Sequence, residues 1–143
     1  MNNWFKCKVK YRKEDDKGVL KNITEVYLVD AVSFIEAETR IHKELGSVIR
    51  GGFDVVGITK SNIVDVFEND VDYFHEVKVS YTMIDQEAKT EKKVSNTHLI
   101  GARSVKDAIA KIEEELAMMM VPYDITSVKV SPVLEVFRFE SKL

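Results

Sequence analysis

The stretch Lys21–Ile41, KNITEVYLVDAVSFIEAETRI, reads as a strand running into a capped helix, and Lys92–Ile112, KKVSNTHLIGARSVKDAIAKI, repeats it. Lys21, Leu28, Ala31, Ser33, Ala37 and Ile41 are met by identical residues 71 positions later. Ser33 with Glu36 spells a capping box, and Ser104 with Asp107 occupies the matching place. Phe34, Ala37, Ile41 and Leu45 then recur at helical spacing, with Gly46 as the stop. The second helix carries Val105, Ala108, Ile109, Ile112, Leu116 and Met119, and Pro122 closes it.

Outward from this block the repeat continues on both sides. Trp4–Tyr11 falls on Phe74–Tyr81, and Phe53–Phe67 on Tyr123–Phe137, each 70 positions apart. Phe5, Cys7, Val9 and Tyr11 alternate with Lys6, Lys8, Lys10 and Arg12, the two-residue period of a strand with one dry face. A hairpin at Glu14–Gly18 leads to a second strand over about 19–30, and Asp85–Lys93 leads to its counterpart over about 92–100. The third strand runs from Asp54 to Glu68 and from Asp124 to Glu140, with Ile58, Val64 and Val66 matching Val128, Leu134 and Val136 on one face. Asn62 and Pro132 interrupt it at equivalent points. Each unit there bends, bulges or holds two short strands, whose neighbours can differ.

The expected fold is α+β, a tandem pseudo-twofold repeat of two β-β-α-β units with mainly antiparallel sheet and one helix per unit. The units cover about 4–69 and 73–140 of one compact 1–143 domain; a lone unit of this length would be marginal. The opening Trp4–Val9 and the stretch Tyr27–Glu38 resemble a domain-of-unknown-function family, number 4494, of gut anaerobic bacteria and their phages. The resemblance implies bacterial or phage origin and carries over no catalytic residue or ligand.

With 143 residues, 45% hydrophobic and 31% charged, the composition is globular. The net charge of -3 gives no global basic field, yet seven of the first 21 residues are Lys or Arg against three acids. No apolar run suits a secretory signal or a membrane helix, and the single cysteine forms no internal disulfide, so a cytoplasmic protein is expected.

Lys6, Lys8, Lys10 and Arg12 form the best candidate for binding nucleic acid, four cations along one side of a strand. The competing readings are a solvated face or an edge strand guarded by lysines, and these are preferred because the second unit has Glu76, Lys78, Ser80 and Thr82 there. Met118, Met119 and Met120 read first as helix core and second as a contact surface. His75 and His98 replace Phe5 and Tyr27, which suggests packing, and His42 lies toward the polar side of its helix. Cys7 replaces Val77 as a small hydrophobe. Gly51-Gly52 precedes a strand, unlike a phosphate loop. No catalytic residue, metal site or cofactor is assigned. The leading function is a non-catalytic binding or assembly module acting through protein contacts, including a homodimer. Nucleic-acid binding comes second, and an enzyme using His75, His98 or Asp124 at the junction of the units third. No membrane partner is expected.

Overall fold

The structure, a computed structural model, describes residues 3–69 and 73–138. It is an α+β protein with two helices and two mainly antiparallel four-stranded sheets. The chain runs β1 (Asn3–Glu14), β2 (Leu20–Ala31), α1 (Phe34–Gly46), β3 (Asp54–Lys60), β4 (Ile63–Phe67), β5 (Tyr73–Asp85), β6 (Thr90–Ala102), α2 (Val105–Glu115), β7 (Tyr123–Val130) and β8 (Val133–Phe137). Residues 139–140 of the expected last strand lie outside the described residues.

The sheets have the orders β3-β1-β2-β8 and β4-β6-β5-β7. Among the described residues only the short strands pair parallel, β8 on β2 and β4 on β6. The expected long third strand is therefore two strands, and its halves join different sheets. At the break Ser61 donates its N–H to the carbonyl of Trp4, and Ser131 donates to that of Phe74, both at 2.8 Å. Asn62 and Pro132 follow, and Pro132 has no N–H with which to continue a ladder. Two compact units result that do not follow chain order. One runs through Ser61 and resumes at Pro132; the other is Asn62–Ser131.

In the first unit, the apolar face of β1 (Phe5, Cys7, Val9) meets Tyr27, Val29 and Ala31 of β2 beneath Ala37, Ile41 and Leu45 of α1. In the second, Val77 and Val79 of β5 and Ile100 and Ala102 of β6 lie beneath Ala108 and Ile112 of α2. Burying one such aliphatic side chain contributes roughly 1.5–3 kcal/mol. The helix stripe and the strand period thus act together, since each alone would leave its apolar side wet.

Both helices are capped as the sequence indicates. Ser33 Oγ accepts the Glu36 N–H at 3.1 Å and Ser104 Oγ accepts the Asp107 N–H at 3.0 Å. The carboxylates reach back one residue further than expected. Glu36 accepts from the Val32 N–H at 3.3 Å, and Asp107 from the Arg103 N–H at 2.9 Å.

Three expectations are corrected. As far as Lys10, β1 is paired on both sides, by β2 and β3, so Lys6, Lys8 and Lys10 guard no edge. Helix α2 ends at Glu115, well before Pro122, so Met118–Met120 lie beyond it. Met118 and Met120 are 89% and 95% exposed, which removes them from the core. Val64 and Leu134 are exposed although Val66 and Val136 are buried. The ladders skip a residue there, passing from Ile63↔Thr97 to Asp65↔His98 and from Val26↔Val133 to Tyr27↔Glu135. The skipped residue is turned out of the alternation.

Candidate functional site

Lys6, Lys8, Lys10 and Arg12 occupy the face of β1 that points away from α1. The cross-strand register sets Leu28, Val26, Thr24 and Asn22 beside them on β2. Leu28 is fully buried and Lys6 half-buried, whereas Lys8, Lys10 and Arg12 are exposed. The row is therefore not uniform. Its far end is wet and its near end is packed, and Lys6 has an interaction partner. Lys8, Lys10 and Arg12 form no ion pair among the described residues.

The wet end opens into a cleft of about 620 Å³. Strand β3 stops pairing at Asp54↔Lys10, so β1 runs on beyond it with an open edge at Tyr11 and Arg12. The loop after α1 crosses this opening. Arg50, Gly51 and Gly52 line it with Lys10, Arg12 and Asp54. Gly51 and Gly52 have φ of 83° and 86°, a region that side-chain-bearing residues rarely enter. Cβ atoms at either would meet nothing within 4 Å, so conformation, not crowding, calls for glycine. The sequence singled out Lys10, Arg12 and the glycine pair separately. It missed Arg50, and nothing local joins Arg50 to a strand 40 residues earlier.

The second unit has a cleft of about 390 Å³ in the matching position. Tyr81, Tyr123 and Asp124 stand there as Tyr11, Phe53 and Asp54 stand in the first. The charged residues differ. Ser80, Thr82, Val121 and Pro122 replace Lys10, Arg12, Gly51 and Gly52, and Lys93 supplies the cation.

The family described as Domain of unknown function (DUF4494) matches residues 3–139. The chain belongs to that family. No curated protein and no solved structure matches it.

The match to DUF4494 assigns no site, so the remaining candidates of this DUF4494 chain rest on geometry alone. Tyr11 at the cleft hydrogen-bonds Glu25, and this bond together with burial holds its phenol up to about 12. Tyr27, on the other side of Glu25, is raised by burial first and then by that carboxylate. Glu25 Oε1 is buried without a hydrogen-bond partner among the described residues.

His75 and His98 are 2% and 6% exposed, and Nδ1 of each is buried without a hydrogen-bond partner among the described residues. His98 stacks on Phe67 at 6.0 Å as Tyr27 stacks on Phe137 at 5.6 Å. Burial lowers the His98 pKa, and Asp65 opposes the shift. Their atoms are 3.7 Å apart, too long for a hydrogen bond, so a neutral imidazole beside an exposed carboxylate describes the pair better than an ion pair. Neither histidine lines the cleft that holds Asp124.

Cys7 is fully buried, and burial pushes its thiol up to about 11. That disfavours the thiolate a nucleophile needs. His42 is exposed and stacks on Phe53 at 5.2 Å. Among the described residues no group of three His, Cys, Asp or Glu could hold a metal ion, and no helix is long and apolar enough to cross a membrane.

Proposed function

We propose that this protein is a non-catalytic binding or assembly module that acts through protein contacts, and that its partner is a second copy of itself. The observation that carries the reading is a groove on the first unit, about 330 Å³, between the start of α1 and edge strand β3, into which mainly apolar side chains are set beside exposed backbone. Phe34, Ile35 and Val56 line it and are 52%, 80% and 52% exposed, and Val32 nearby is 57% exposed. The second unit has Arg103, Val105, Lys106 and Thr126 at these places, so the apolar surface is not a requirement of the fold. Contiguous exposed apolar surface marks contact sites. A twofold contact sets like residues against like, and the groove carries a single charged residue, Glu38, so it does not repel itself. The exposed Met118 and Met120 offer a second, adaptable contact surface.

Sedimentation equilibrium tests the reading. The wild type is expected to self-associate, and Ile35→Lys with Val56→Thr, residues taken from the second unit, should weaken association about tenfold or more. A wild type that stays monomeric up to millimolar concentration refutes it.

We also infer that the chain is an internal duplication, with units near 4–69 and 73–140 that contribute their last strands to one another's sheets. Matching strand orders, matching ladder irregularities after Lys8 and Lys78, and the paired stacks of Tyr27 and His98 support this. The single buried thiol fits a reducing compartment such as the cytoplasm.

A further inference from the structure

We propose that the cleft of the first unit formed by Lys10, Arg12, Arg50 and the Gly51-Gly52 turn binds a phosphate group. Three cationic residues line it against one carboxylate residue, Asp54. Lys10 and Arg12 are two apart on one strand face, so their stems lie roughly 7 Å apart. Arg50 comes from the loop after α1, which lines the same cleft. Lys10, Arg12 and Arg50 form no ion pair among the described residues. Like charges gathered without counter-ions repel, and a bound anion relieves that repulsion. Guanidinium forks suit phosphate because two parallel N–H groups can meet two of its oxygens.

The glycine turn adds to this. The Gly51 N–H group makes no hydrogen bond among the described residues, and neither glycine carries a side chain to keep a ligand from the backbone. The turn leads into a strand, so it lacks the helix dipole of the usual phosphate loops, and the arginines supply the charge instead. The cleft of the second unit serves as an internal comparison. It keeps the aromatic residues and Asp124, but it has one cation, Lys93, and Val121-Pro122 replaces the glycines. The fold therefore builds the hollow twice and charges it once.

Phosphate can come from a free phosphate ester or from a nucleic-acid backbone, and amide-resolved NMR titrations separate the two. Pyrophosphate is the first probe and a ten-nucleotide oligothymidine the second. Saturating shifts are expected at the Gly51 and Gly52 amides, with the Tyr123 and Asp124 amides unmoved. The double variant Arg12→Gln/Arg50→Gln should bind about tenfold more weakly or worse. Asp54→Asn, at an exposed position, should bind severalfold more tightly, so the two variants bracket the wild type. If the oligonucleotide binds tighter than pyrophosphate, also shifts Lys8, and shows a log–log salt slope of about -0.7 per phosphate contact, the source is a nucleic-acid backbone. Equal affinities confined to the cleft identify a free phosphate ester. Shifts that do not saturate, equal shifts in both clefts, or a double variant that titrates like the wild type overturn the proposal.

Discussion

Replacing Val136 with Ala probes the feature of this fold that chain order hides. Val136 lies on β8, is 8% exposed, and stands in register with Leu28 on β2. The substitution removes two methyl groups, at about 0.8 kcal/mol each, and a residual cavity brings the loss toward roughly 2 kcal/mol. Val66 on β4 is its counterpart, 7% exposed and in register with Leu99 on β6. Native-state hydrogen exchange reads where the loss is felt. With Val136→Ala, amides of β2 that face β8 should exchange about fifteenfold to thirtyfold faster, a factor of ten for each 1.4 kcal/mol. The β6 amides that face β4 should change less. Val66→Ala should reverse the pattern. If β8 instead continued β7 in the second sheet, Val136→Ala would expose β5 and β7 amides and spare β2. That result would refute the strand assignment argued above.

Two further outcomes follow from local chemistry. Ser33→Ala and Ser104→Ala should each cost about 0.5–2 kcal/mol in urea unfolding, because each deletes the acceptor of an N-terminal N–H, and an unchanged midpoint in both would show that the caps contribute nothing. Burial lowers the His98 pKa, so the unfolded chain takes up a proton that the folded one resists. Stability should be complete above about pH 6.5 and fall as pH drops toward the folded value. Asp15 and Asp107, whose carboxyls backbone N–H groups hold below the usual value, act only near pH 4 and lower. Urea midpoints between pH 5 and 8 in wild type and His98→Asn check this; the same slope in both would exclude His98 as the cause.

Much of the secondary structure is written locally. The alternation of Phe5, Cys7 and Val9 with three lysines needs only the two-residue period of a strand, and those apolar residues are buried. The starts at Ser33 and Ser104 depend on a hydroxyl three residues before a free N–H. The end of α2 was less legible. Leu116 and Met119 keep the helical spacing, yet the helix stops at Glu115 and the chain turns, so that Met118 and Met120 point into solvent. Periodicity records which positions are apolar and does not say how far the backbone hydrogen bonds persist.

What the sequence by itself determined is the set of elements, their apolar faces, the two caps and the interruption at Asn62 and Pro132, because each depends on contacts within a few residues. The tertiary structure alone decided which strands meet beyond the two hairpins. It placed β1 between β2 and β3 as far as Lys10, which makes Lys6, Lys8 and Lys10 a sheet face instead of an edge guard. It sent β8 to β2 and β4 to β6. It also brought Arg50 to Lys10 and Arg12. Pairings of this kind are chosen by burial summed over residues far apart in the chain, and no local pattern of residues carries that sum.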